Sequence, residues 1–282
     1  MIKPLTEKEL VQQSVELAAH TRRKIEAAGL LITDFEQVAS LFDVTVTWGE
    51  LPDGKEGSYL KDKRKIVLST HITTPERINF SFCHEIMHAR IEDDADILND
   101  FADAYRRSDE EAMERLCNAG AAELLMPADE MREYGCSVGL IPELCERFAA
   151  SSIAVAFQLV NCATHECYLI IAEPTWITND EVLPMLPLAA FGGSKERLII
   201  VYSGRSPVLK KYSIKKPQIL SIDHALYEAL RHPDTALKMD AKLPFASGKG
   251  WGVPCDMLYF RGKVFAVFHQ SPPPNPDQLA LF

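Results

Sequence analysis

His84-Glu85-Ile86-Met87-His88 sets two imidazoles and a carboxylate within about one helical turn. Residues four apart on a helix share a face, so His84 and His88 can donate to one metal ion while Glu85 stands beside it. This is the H-E-x-x-H arrangement of zinc hydrolases, whose carboxylate takes a proton from the attacking water. Such a site needs a third protein ligand, with the fourth position left to water. The plain alternative is an amphipathic helix that carries two histidines by chance.

The third ligand must come from another element. The next long helical segment is expected from about Ser108 to Met126. Ser108 and Glu111 have the spacing of a capping box, and Ala112, Leu116, Ala119 and Ala122 or Leu124 recur at helical spacing. The segment carries Glu110, Glu111, Glu114 and Glu123. Glu114 is the best candidate ligand, and the other three read as solvated or capping carboxylates. Asn118, one turn further along the same face, can steady a carboxylate or a nearby backbone group.

Two separated runs carry a family resemblance. Arg77-Ile78-Asn79-Phe80-Ser81-Phe82-Cys83-His84-Glu85-Ile86-Met87-His88 resembles the R-x-x-F-x-x-x-H-E-x-x-H helix of the ImmA/IrrE metallopeptidases. The run from Glu114 to Pro127 resembles that family's E-x-x-A-N-x-F-A-A-x-L-L-M-P stretch, with Cys117 in place of an alanine and Gly120 in place of an aromatic residue. The resemblance extends over about residues 34–161. It implies that Glu114 is the third zinc ligand and Glu85 the general base. It also implies a substrate, a helix-turn-helix transcriptional repressor cleaved after DNA damage or another stress. Cys117, three residues from Glu114, is either a small buried thiol or a thiolate that occupies the water position and keeps the enzyme latent. The buried thiol is the preferred reading, and Cys83 is expected in the core. Zinc is the expected metal; the residues do not separate it from manganese in the cell.

The surrounding pattern is that of an α+β protein. Thr6–Ala28 and Asp34–Leu41 read as helices, Val44–Trp48 as a strand, and Gly57–Leu60 with Lys65–Ser69 as a hairpin. The H-E-x-x-H helix is expected from about Pro75, and Lys65–Ser69 is the candidate strand for binding substrate backbone. The acidic stretch Glu92–Asp103 is expected as a mobile loop or lid. Ile141–Ala149 and Ser151–Asn161 form a helix-turn-helix-like pair. Its second helix has no Arg or Lys in its first eight residues, so it is read as structural or substrate-docking rather than DNA-reading.

From Glu166 the pattern turns to strands, at Cys167–Ala172, Leu198–Tyr202, Met257–Phe260 and Val264–Phe268, with a helix over about Ser221–Leu230. Four regions are therefore expected: a mostly helical zinc-peptidase domain with a small β-sheet (1–130), the helical pair (131–165), a smaller α+β module (166–270) and a Pro-rich tail (271–282). Some ImmA/IrrE relatives carry a GAF-like domain at the third of these positions, so the resemblance implies a sensor of a small-molecule or other signal there.

Charge divides the chain. Residues 1–167 hold 17 Lys+Arg against 30 Asp+Glu, and residues 168–282 hold 13 against 10, giving a net −10. The acidic half does not invite nucleic acid. Arg205, Lys210, Lys211, Lys215 and Lys216, interleaved with Tyr202 and Tyr212, are either a single-strand-binding patch or a lysine-guarded sheet edge, the latter preferred. No apolar run nears the roughly 20 residues of a membrane span. No signal peptide is seen, and the seven scattered cysteines fit reduced thiols of a cytosolic protein.

The tail ends in Gln278-Leu279-Ala280-Leu281-Phe282 after a proline-rich spacer. It resembles the Q-L-x-L-F peptide by which bacterial replication and repair proteins bind the sliding clamp. Gln278 would set register, while Leu279, Leu281 and Phe282 would fill apolar pockets; a tail folded back on its own domain is the alternative. The reading of the whole is a zinc endopeptidase with Glu as third ligand. The competing reading is a non-catalytic sensor or antirepressor whose zinc is closed off by His84, His88, Glu114 and Cys117.

Overall fold

The computed structural model describes residues 4–105, 109–177, 195–210, 213–248 and 250–270. The chain forms two compact units, Met1–Glu130 with Leu144–Ser151, and Met131–Glu143 with Ser152–Phe282. The expected helical pair at 131–165 is thus divided between them. Both units combine helix and sheet, so the architecture is α+β.

In the first unit, α1 (Glu7–Ala27) opens on a capping box in which Thr6 and Glu9 satisfy each other's backbone N–H groups. It ends before Gly29, whose φ of +71° suits glycine. After α2 (Phe35–Ser40) come strands β1 (Thr45–Gly49), β2 (Gly57–Leu60) and β3 (Lys65–Ser69). Their order is β1-β3-β2, with β1 parallel and β2 antiparallel to β3. β3 is therefore the central strand and both its edges are paired. The expectation that Lys65–Ser69 binds substrate backbone is corrected: its main-chain groups are spent within the sheet, and the edge strand facing α3 (Pro75–Glu92) is β2. Arg64 anchors this corner. Its guanidinium donates to both Asp93 carboxylate oxygens at 2.7 and 3.0 Å and to the Phe42 carbonyl at 2.7 Å.

The expected acidic loop after α3 is instead largely α4 (Ala95–Tyr105). Ile97 and Phe101, four apart, are buried, and Asp94 accepts from the Ile97 N–H at 3.1 Å. Two apolar anchors and a cap outweigh the acidic content: Asp96 and Asp103 are exposed, and Asp100 accepts from the Gln13 side chain at 2.8 Å. The ligand helix is α5 (Glu110–Leu125), capped by Asp109 rather than by Ser108, which lies outside the described residues. Its buried face runs through Leu116, Cys117, Gly120, Ala121 and Leu124. A Cβ at Gly120 would stand 2.6 Å from Met87 Cε and 2.8 Å from Ser14 Oγ. Glycine thus lets α1 and α3 close on α5, and Ser14 Oγ donates to the Leu116 carbonyl at 2.8 Å. A larger side chain there would carry an overpacking cost of roughly 1–3 kcal/mol. Glu123 is buried and accepts from Ala128 N–H at the start of α6 (Ala128–Glu133), a capping role.

Next come α7 (Ile141–Phe148) and α8 (Ser152–Asn161), the latter in the second unit. That unit is built on a six-stranded antiparallel sheet: β4 (Cys167–Ile177), β5 (Lys195–Arg205), β6 (Gln218–Ile219), β7 (Leu237–Lys242), β8 (Gly252–Phe260) and β9 (Lys263–His269), in the order β6-β5-β4-β9-β8-β7. Arg261 and Gly262, at φ +47° and +77°, join β8 to β9 in a two-residue turn. The Cys167–Ala172 part of β4 is buried on both faces, which explains its unbroken apolar run. Tyr168, Ile170 and Ala172 face a core completed by Leu220, Leu226 and Ala229, while Gly204 on β5 lies under the Phe157 ring of α8. The helix expected at Ser221–Leu230 is reduced to α9 (Tyr227–Arg231).

All seven cysteines are free thiols. Among the described residues no helix is long and apolar enough to cross a membrane. Lys216 stacks its ammonium over the Tyr202 ring at 5.8 Å. Lys211, Tyr212 and the tail residues Gln278, Leu279, Leu281 and Phe282 lie outside the described residues.

Candidate metal centre

α3 presents His84 and His88 on one face, and α5 crosses it so that Glu114 meets both. His84 Nε2 lies 3.0 Å from Glu114 Oε2 and 3.1 Å from His88 Nε2, and His88 Nε2 lies 3.4 Å from Glu114 Oε1. Ligand atoms about 2.0–2.1 Å from a tetrahedral ion stand about 3.3–3.4 Å apart, so this triangle is close to what one zinc requires. Two imidazole lone pairs and a carboxylate that converge without a proton for every contact are a cation's donor set. The three residues therefore fit a divalent metal, and among the described residues they are the only such cluster of His, Cys, Asp and Glu.

The surroundings suit that use. Burial, and His84 beside it, push His88 down to about 4 against the opposing pull of Glu114, so the ring is neutral, as a ligand must be. His84 Nδ1 faces Asn118 Oδ1 at 3.0 Å; donation there leaves the Nε2 lone pair toward the metal position. Asn118 thus steadies an imidazole, rather than the carboxylate or backbone group expected from spacing. Asn118→Ala should weaken metal affinity roughly 10- to 100-fold with the fold intact, read by competition against a chromophoric chelator. Unchanged affinity would deny Asn118 that role.

Glu85 is buried, at 6% exposure, between α3 and β2. Burial pushes its carboxyl up to about 7, opposed chiefly by a hydrogen bond from the Tyr59 N–H. A Cβ at Gly57 would stand 2.7 Å from Glu85 Oε1, so only glycine lets β2 approach this closely. Lys55, Glu56, Ser58 and Phe80 line the same cleft, a cavity of about 550 Å³. Glu56 pairs with Arg77 and accepts from Ser81 Oγ at 3.1 Å. Sequence reasoning did not single out Lys55, Glu56, Gly57 or Tyr59 as cleft residues. A glycine inside a strand pattern is a signal for close backbone approach, and it stood at 57.

Cys117 is fully buried on α5, and its sulfur is not among the ligand atoms that lie within 4.8 Å of one another. Burial first, then Glu114 and Glu85, push its thiol well above the usual range. Cys83 is buried in the core.

Residues 38–160 match the Peptidase_M78 family, described as the IrrE N-terminal-like domain. The chain is 30% identical over 234 residues to the radiation response metalloprotease IrrE of Deinococcus deserti, covering 80% of this chain and 77% of that protein. It is 26% identical over 227 residues to the radiation response metalloprotease IrrE of Deinococcus radiodurans, covering 79% and 68%. A Mycobacterium tuberculosis transcriptional regulator shares the fold, with a TM-score of 0.51 and 16% identity over 89% of this chain and 86% of that one. The likeness to the Deinococcus proteins runs well beyond the segment carrying the histidines, and it shows that the chain belongs to the ImmA/IrrE family of metallopeptidases.

Proposed function

We propose that this protein is a zinc-dependent endopeptidase that cleaves a helix-turn-helix transcriptional repressor under DNA damage or a related stress. The observation that carries the catalytic reading is the 3.0–3.4 Å triangle of His84, His88 and Glu114 with buried Glu85 beside it. His84, His88 and Glu114 hold zinc, which when bound polarises the scissile carbonyl and makes a water more acidic. Glu85 accepts the proton of the attacking water and passes it to the leaving amine. β2 offers its outer edge to an extended substrate segment in the cleft. Cys117, outside the ligand cluster, leaves the fourth position to water. That favours a catalytic site over the closed site of a non-catalytic antirepressor.

The substrate class and the stress trigger rest on the family and on the names of the Deinococcus relatives. Incubating the zinc-loaded chain with candidate helix-turn-helix repressors tests them. Site-specific cleavage that stops on chelation is expected; association without cleavage under any inducing condition would favour the antirepressor. The second unit is read as a GAF-like module that senses the signal. The terminal Gln278-Leu279-Ala280-Leu281-Phe282 peptide is read as a sliding-clamp ligand. Removing residues 278–282 should abolish capture of the clamp in a pull-down, and retained capture would defeat that assignment.

A further inference from the structure

Two sulfurs of the second unit, neither of them used by the metal centre, lie in contact. Cys136 Sγ is 3.9 Å from Cys167 Sγ, and the two thiols share a hydrogen bond. The sulfurs of a disulfide sit about 2.0 Å apart, so side-chain rotation that closes a gap of about 2 Å would join them. Each partner is held from its own side. Gly135, at φ +69°, turns the chain after α6, and Ser137 Oγ donates to Asp256 Oδ2 on β8 at 3.0 Å. Cys136 is thus fixed between a turn and an anchor on the sheet. Cys167 opens β4, where its N–H donates to Ser206 Oγ at 3.1 Å and its carbonyl accepts from the Ser206 N–H at 3.0 Å. The sulfur contact therefore follows from two anchored backbones rather than from two loose side chains.

The two thiols differ in what they can do. Cys136 is 9% exposed and Cys167 is fully buried, so a small oxidant meets Cys136 first. Donation from the Cys136 thiol, with help from the Ser206 hydroxyl, lowers the pKa of Cys167. That makes Cys167 the readier nucleophile toward an oxidised neighbour.

We propose that Cys136 and Cys167 are a peroxide-sensitive dithiol that closes reversibly to a disulfide within the second unit. Cys136 releases its proton, and its sulfur attacks one oxygen of the peroxide. The O–O bond breaks, a sulfenic acid forms on Cys136, and the other oxygen leaves as hydroxide, which takes up that proton as water. The Cys167 sulfur then attacks the Cys136 sulfur. The S–O bond breaks, and the departing hydroxide leaves with the Cys167 proton as a second water. Two electrons pass from the sulfurs to one peroxide. The new bond ties the segment after α6 to the first residue of β4. It closes a ring that runs through Leu144–Ser151, which belong to the first unit. Oxidation thereby restrains the stretch by which the chain leaves the second unit and returns to it.

Treating the zinc-loaded full chain with hydrogen peroxide, blocking the remaining thiols with N-ethylmaleimide in denaturant and mapping the peptides without reduction tests the pair. Loss of two of the seven thiols is expected, together with a peptide pair joined through Cys136 and Cys167. Before blocking, the intact chain should be lighter by about 2 Da, the two hydrogens given up. Dithiothreitol should reverse both changes. Cys136→Ser and Cys167→Ser should each abolish the joined pair, whereas Cys162→Ser should leave it in place. The wild-type map stands without any variant, so a misfolded variant does not blunt the test. Linkage of Cys136 to Cys162 overturns the proposal, as does sulfinic acid at Cys136 without a cross-link. Retention of all seven thiols under conditions that fully oxidise glutathione in the same tube overturns it as well.

Discussion

Glu85→Gln should reduce repressor cleavage by about 10²- to 10⁴-fold, the usual contribution of a positioned general base, while zinc content and thermal stability stay at wild-type levels. The structure makes the substitution clean. Glu85 sits at 6% exposure with Gly57 against it, and the Tyr59 N–H donates to its carboxylate. An amide of the same shape keeps an oxygen for that N–H and adds no volume beneath β2. It cannot take a proton from water at neutral pH. Because Glu85 is not one of the three converging ligands, the metal should stay. Single-turnover cleavage and metal analysis on the same preparation separate the two effects. Cleavage at the wild-type rate by the variant would remove Glu85 from the mechanism.

Glu114→Ala should lose both metal and activity, and excess zinc should not restore wild-type turnover. Glu114 supplies the one carboxylate in the triangle, with its oxygens 3.0 Å and 3.4 Å from the two imidazoles. Two histidines alone leave an ion under-coordinated, so the drop in affinity should exceed the roughly 10- to 100-fold expected for the supporting residue Asn118. The side chain is half exposed, so its removal should leave the helix packing intact. Chelation of the wild type should give the same inactive state, reversible by added zinc. A Glu114→Ala protein that holds one zinc with unchanged affinity would show that the third ligand lies elsewhere.

Asn118 and Cys117 show how far helical spacing reaches. Both lie within about one turn of Glu114. Asn118 turns to the His84 ring, whereas Cys117 is buried on the packing face of α5. The hundred-degree step along a helix separates them, but it does not say which step meets α3 and which meets the cleft. Gly120 supplied that answer, because its missing side chain sets the depth at which α5 lies against Met87 and Ser14. The segment after α3 taught a similar lesson. Its acidic residues suggested a loop, yet Ile97 and Phe101 at helical spacing buried it as α4.

What the sequence alone determined is local. Two histidines four apart, the helical span of α1 and the hairpin pairing of β2 with β3 follow from backbone geometry within a few residues. The runs around His84 and Glu114 tied the chain to its family through the same short-range order. The tertiary structure decided everything that depends on which surfaces meet. It made β3 central and left β2 as the edge beside α3, brought Glu114 Oε2 to 3.0 Å from His84, set Gly57 beneath Glu85, and drew Gln218 and Pro244 together from opposite edges of a sheet. Those contacts join residues tens of positions apart, and each depends on how side-chain volumes fill the space between elements. Periodicity along the chain carries no record of that.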